Sequence, residues 1–166
     1  SIQSKMAFAE YVAIANNSKY DYYVTGHSLG GRLAQDVVYK VYNANEGIFG
    51  AFKANIPEPV HSATFNALGY NKLVYALLEN DVLKRYKSKL TNYYYQYDLI
   101  GEGLACTLAW KRAGTDVMLL GCDSKGNLLR KDAPKLRDVK LHGIKTFHDD
   151  YDLFETSAHW FEYWID

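Results

Sequence analysis

Cysteine, proline and long apolar runs are all scarce in this chain, and neither sign of charge prevails. The 166 residues include only two cysteines and three prolines. Cys106 and Cys122 have no C-x-x-C spacing and no paired histidines at metal-ligand distances, so no zinc site is expected; a disulfide between them is left open. No apolar run approaches the length that crosses a bilayer, and Ser1-Ile2-Gln3-Ser4-Lys5 does not read as a secretory leader. The absence of an initial Met fits removal of preceding residues. Lys plus Arg and Asp plus Glu number 19 each, giving zero net charge. A polyanionic partner, nucleic acid above all, is therefore not expected.

What the chain does have is apolar mass. Hydrophobic residues make up 48% of it and there are 15 tyrosines, enough for one core and a single domain over residues 1–166. Several tyrosines fall in strand-like runs, where a half-buried ring with a wet hydroxyl is the expected use.

The most informative segment is Gly26-His27-Ser28-Leu29-Gly30. It follows the aromatic and β-branched run 20–25 and precedes a helical pattern in which Leu29, Leu33, Val37 and Val41 recur every four residues, with Ala34 and Val38 beside them. This is the form of a nucleophile elbow, a serine on a sharp strand-to-helix turn. The strained turn predicts that both glycines are required, because a Cβ at either position would collide with the turn. The helix begins at the serine, so its unpaired N–H groups and positive dipole end face any negative charge that develops there.

A helix is expected before this turn, over Met6 to Ile14. After it come a strand over Val60–Ala67, an amphipathic helix over Asn71–Leu90 with Leu73, Val74 and Leu77 and then Val82, Leu83 and Tyr86 on its apolar face, a strand over Tyr93–Tyr97 and another over Asp116–Gly121. Residues 123–138 read as a hairpin tip or long loop. Alternating strands and helices predict an α/β fold with a mostly parallel sheet and ligands bound beyond the carboxyl ends of its strands.

A serine hydroxyl is a weak nucleophile at neutral pH and needs a base, which in turn needs an orienting carboxylate. In chain order the acid and then the base follow the serine. Asp98 is the best acid because it follows a strand, whereas Asp116 precedes one and Asp123 sits in a turn. Among the histidines, His27, His61 and His159 read as structural. His142 and His148 remain as candidate bases.

Four features together resemble the class 3 (fungal-type) lipases and their bacterial lipase-like relatives: Val24-Thr25-Gly26-His27-Ser28-Leu29-Gly30-Gly31, then Thr64-Phe65-Asn66-Ala67-x-Gly69, then the strand ending in Asp98, then His142-x-Ile144-x-x-Phe147. The resemblance runs from about residue 20 to 151. It implies an α/β-hydrolase fold and ester hydrolysis through Ser28, His142 and Asp98, with the backbone N–H of Leu29 binding the oxyanion and no metal or organic cofactor. It favours His142 as base; His148, in His-x-x-Tyr with Tyr151, is second choice. It also implies that His142 leads into a terminal helix. The aromatic cluster of Trp160, Phe161, Tyr163 and Trp164 reads as the packing face of a terminal helix, with docking on a lipid surface or a partner as the alternative.

Two departures stand out. Family members have further strands before the elbow and a loop there that supplies a second oxyanion donor, so the chain reads as the C-terminal part of a lipase-like domain lacking the N-terminal strands. A second chain or a missing N-terminal segment would complete the sheet. Phe65-Asn66-Ala67-Leu68-Gly69 also differs from the F-G-x-P-R of secreted fungal lipases, which leaves the substrate open among esters, lipids and phospholipids. Leu29, Leu68, Leu99 and Ile100 are expected either near an acyl chain or in the core. The basic run 84–89 reads as a solvated helix face, with peripheral contact to anionic lipid as the alternative. A catalytically inactive module for binding or assembly is the competing reading of the whole chain, and an acyltransferase with the same triad is a third.

Overall fold

A computed structural model describes residues 1–16, 19–47, 53–78, 81–95, 98, 100, 110–119 and 162–164. The 13-residue helix α1, Ile2–Ile14, is capped by the Ser1 side chain, which accepts the Ser4 N–H. Strand β1, Tyr23–His27, leads through Ser28 into helix α2, Leu29–Glu46. Strand β2 spans His61–Phe65 and is followed by the two-residue β3, Tyr70–Asn71. Helices α3, Lys72–Leu78, and α4, Asp81–Tyr86, lead by a 3₁₀ turn to β4, Leu90–Tyr95. Strands β5, Trp110–Lys111, β6, Thr115–Leu119, and β7, Glu162–Trp164, complete the described elements.

The main sheet has the order β1-β2-β4-β6-β7. Its first four strands are parallel and β7 runs antiparallel to β6, while β3 and β5 form a separate antiparallel ribbon. The fold is thus α/β, with a mostly parallel sheet and flanking helices. His27, Phe65, Tyr93 and Val117 lie level across the four parallel strands. All four therefore end on one side of the molecule.

The core lies between the sheet and helices α2 and α4, around Val38, Tyr70, Leu83, Tyr86, Leu90 and Ala113. Ala34, Val37, Val38 and Val41 are buried as the four-residue repeat requires. Leu29 departs from that stripe and is 52% exposed, because it sits on the turn where α2 begins rather than over the sheet. Tyr70 and Tyr86 are fully buried, beyond the half-buried role expected of the tyrosines, and Tyr39 and Tyr42 pack against the Tyr86 ring at 6.3 and 5.5 Å between centroids.

Three expectations are corrected. The helix expected over Asn71–Leu90 is shorter at both ends: Asn71 belongs to β3, Lys87–Lys89 form a 3₁₀ turn and Leu90 already belongs to β4. The inward residues of α3 are Tyr75 and Leu78, whereas Leu73 and Leu77 are 79% and 85% exposed. Tyr75 carries more apolar area than either leucine and meets the Tyr70 ring edge-on at 6.2 Å, with Lys111 Nζ 4.3 Å from its centroid. The tail holds a strand at Glu162–Trp164, where a terminal helix is expected; Trp164 pairs with Val117 and Tyr163 with Met118, in keeping with the aromatic preference for pleated surfaces. Among the described residues β1 pairs only with β2, and Tyr23 is 65% exposed.

Candidate active site

The parallel ladder continues one residue beyond β1, where the Ser28 N–H donates to the Phe65 carbonyl at 3.0 Å. The backbone then turns abruptly. Ser28 has φ 55° and ψ −121°, and Leu29 is already the first residue of α2. A residue with a β-carbon is rarely found there, because the side chain crowds its own backbone; such conformations cost of the order of 1–3 kcal/mol.

Close approach of α2 to β1 makes the turn possible. A Cβ on Gly26 would stand 2.3 Å from the Gly30 carbonyl oxygen, and one on Gly31 would stand 2.5 Å from the Ala67 Cβ. Position 30 differs from the expectation, since a Cβ there would meet nothing within 4 Å. The crowded pair is Gly26 and Gly31, and nothing in the described surroundings requires glycine at 30. Gly26→Ala is accordingly expected to lower stability by about 1–3 kcal/mol, because the atoms it strikes are backbone. Gly30→Ala is expected to be neutral or stabilising by up to about 1 kcal/mol. Urea unfolding midpoints of the two variants check this pair.

Ser28 is partly exposed and Leu29 exposed, so the turn projects to the surface with the first N–H groups of α2 directed outward. As first residue of the helix, Leu29 has no intrahelical acceptor for its N–H. Next to this turn, the Arg32 guanidinium lies 3.4 Å above the Tyr70 ring centroid and pairs with Asp36. Burial, reinforced by Asp36, drives the Tyr70 phenol far above its ordinary pKa. It stays neutral at any working pH.

Asp98 lies just past the end of β4 and is fully buried; its N–H donates to the Tyr95 carbonyl at 3.1 Å. Ser28 and Asp98 therefore leave the same end of the sheet, with β2 between their strands. Asp116, the rejected acid, is the second residue of β6 rather than the residue before it, and it is engaged by both Arg112 and Asn92. His61 opens β2, with Nε2 3.2 Å from Thr91 Oγ1, at the sheet end opposite Ser28. His142, His148, His159, Asp123, Leu99, Cys106 and Cys122 lie outside the described residues, while Leu68 and Ile100 are half-buried.

A buried polar network that no sequence pattern announces holds the chain near the exit of β2. Arg112 Nε and Nη2 grip the Asp116 carboxylate at 3.0 Å each, and Arg112 Nη1 reaches the Ala67 carbonyl at 3.4 Å. Asn92 Nδ2 donates to Asp116 Oδ1 at 3.0 Å and to the Ala113 carbonyl at 2.6 Å, and Thr64 Oγ1 donates to Asn92 Oδ1 at 2.6 Å. Gln35 of α2 takes the Ala113 N–H and donates to the Leu68 carbonyl. Together these bonds fix the chain where it leaves β2. The signal in the sequence is weak, an Arg and an Asp four residues apart around Gly114.

Asn66 is likewise unannounced. It is fully buried with φ 44°, and its Oδ1 accepts the Tyr95 N–H at 3.0 Å. A left-handed position suits Gly first and Asn next. The departure from the F-G-x-P-R pattern at this residue is therefore conformationally conservative.

Among the described residues no three His, Cys, Asp or Glu side chains gather to hold a metal ion, and no helix is long and apolar enough to cross a membrane. No protein-family model matches the chain, and no curated protein matches it in sequence.

Proposed function

We propose that this chain is a lipase-like serine hydrolase of the α/β-hydrolase type that cleaves carboxylic esters through an acyl-enzyme on Ser28. The observation that carries the reading is the Ser28 backbone, φ 55° and ψ −121° at a strand-to-helix turn. Strain of this kind persists where the surroundings over-determine it, and it presents a hydroxyl at the mouth of a helix N-terminus. A structural serine gains nothing from that conformation.

The strand order adds support. Neighbouring strands lie about 4.8 Å apart, so the backbones of β1 and β4 are separated by about 10 Å. An imidazole with a hydrogen bond on each side fills such a gap once the serine and aspartate side chains lean towards it. In the proposed mechanism Ser28 Oγ attacks the ester carbonyl as His142 Nε2 takes its proton. Asp98 holds the imidazole tautomer and stabilises the imidazolium, and the Leu29 N–H binds the oxyanion. The imidazolium then protonates the leaving alcohol, and water repeats the sequence on the acyl-enzyme.

Hydrolysis of soluble nitrophenyl esters tests this, with a burst of product equal to the enzyme expected wherever deacylation is slow. His142→Ala is expected to reduce turnover by at least about 100-fold, with His148→Ala leaving it largely unchanged. The reverse pattern would transfer the base to His148, and no turnover by the unmodified chain would count against hydrolysis itself.

One observation favours the competing reading of an assembly module, namely the outer edge of β1. Among the described residues its outer side pairs with no strand, and this with the exposed Tyr23 fits a strand added by another segment or chain. Size-exclusion chromatography separates the two readings: an active monomer supports the enzyme alone, and an inactive self-associated chain supports the module.

A further inference from the structure

We propose that Asn66 is a positioning residue that holds the Ser28 turn and the Asp98 turn in register; this rests on the hydrolase reading above. Two successive residues at the exit of β2 carry both turns. The Phe65 carbonyl accepts the Ser28 N–H at 3.0 Å, and the Asn66 N–H donates to the Tyr93 carbonyl at 2.8 Å. The Asn66 carboxamide then reaches past the end of β2 to take the Tyr95 N–H at 3.0 Å. Tyr95 in turn offers its carbonyl to the Asp98 N–H. A continuous line of hydrogen bonds thus runs from the nucleophile's backbone to the acid's backbone, and Asn66 is the member that bridges β2 and the end of β4 with a side chain.

The sheet does not need this side chain. The Asn66 N–H to Tyr93 bond is made by the backbone whatever residue stands there, and glycine would satisfy φ 44° with less strain. What the carboxamide adds is a bond at the residue from which the Asp98 turn departs. Full burial of Asn66 keeps water from substituting for that acceptor, so its loss leaves the Tyr95 N–H unmet and the turn free to shift.

The test is the rate of covalent labelling by a fluorophosphonate probe, followed across pH for the full chain and two variants. Asn66→Gly keeps the backbone conformation and removes the acceptor. It is expected to lower the plateau rate by about tenfold or more, as sub-ångström to ångström misplacement of catalytic groups does. Its acid limb is expected to move to lower pH, because an imidazolium with a displaced carboxylate loses its proton more readily. Asn66→Asp keeps an acceptor and tolerates the same backbone. It is expected near the wild-type plateau with its acid limb at or above that of wild type, since added negative charge only favours the imidazolium. Wild-type rate and acid limb in Asn66→Gly would overturn the proposal, as would a reduced plateau with an unmoved acid limb. Impairment of Asn66→Asp equal to that of Asn66→Gly would also overturn it, and this variant decides the matter should Asn66→Gly not fold. A wild-type chain that takes no label defeats the hydrolase reading itself, whereas a labelled wild type with an unaffected Asn66→Gly defeats the positioning role alone.

Discussion

Ser28→Gly is expected to yield a chain that is more stable than wild type and catalytically dead. The serine occupies φ 55° and ψ −121°, a conformation that costs a residue with a β-carbon of the order of 1–3 kcal/mol. Glycine escapes most of that cost and loses about 0.5–1 kcal/mol through the greater freedom of its unfolded chain. The net gain of about 1 kcal/mol corresponds to a melting point higher by about 2–4 °C for a domain of this size. Ser28→Ala retains the β-carbon and hence the strain, so it separates the two effects. Both variants should lose ester hydrolysis by about 10⁴-fold or more, since removal of a nucleophile leaves only binding and oxyanion stabilisation. Calorimetry alongside turnover checks the pair. A Ser28→Gly chain less stable than Ser28→Ala would show that the turn stores no strain and would remove the main support for the nucleophile.

Arg112→Ala is expected to cause a large loss of stability. The Arg112 side chain is 1% exposed and grips Asp116 through two nitrogens. Its guanidinium also lies 4.2 Å from the Tyr94 ring centroid, and one nitrogen faces the Ala67 carbonyl. Removing one partner of a buried ion pair costs about 3–5 kcal/mol, mostly because the other charge is left uncompensated. Asp116 is 32% exposed, so water relieves part of that penalty and the lower end, about 3 kcal/mol, is expected. Arg112→Lys restores the charge without the planar fork and should recover only part of the loss. Denaturant unfolding at unchanged m-value is the measurement. A midpoint within error of wild type for Arg112→Ala would mean that the network does not hold the β2 exit.

Local chemistry explains which parts of this architecture were legible in the sequence. The Ser28 turn could be read because glycines, a hydroxyl and a four-residue apolar repeat all report on neighbouring backbone. The parallel sheet followed from alternating elements, and the position of Asp98 past a strand end from the tyrosine-rich run before it. Partner-dependent features were hidden. Whether β1 is an edge or a central strand depends on what lies beside it, so its residue types could not announce the exposure of Tyr23. The inward face of α3 was misread because tyrosine counts as polar in a hydropathy pattern yet buries more apolar surface than leucine. The aromatic tail suited a helix or a strand, and pairing with β6 decided it at Glu162–Trp164. The bonds from Gln35 to Leu68 and Ala113, and from Asn66 to Tyr95, join residues far apart in the chain. No periodicity records them.

Ser28 as a nucleophile is the claim on which the mechanism stands. Incubation of the full chain with a fluorophosphonate, followed by digestion and mass-spectrometric sequencing of the adduct, addresses it most directly. One covalent phosphonyl group is expected on Ser28, absent from Ser28→Ala. An unlabelled chain, or an adduct on any other residue that survives Ser28→Ala, would contradict it.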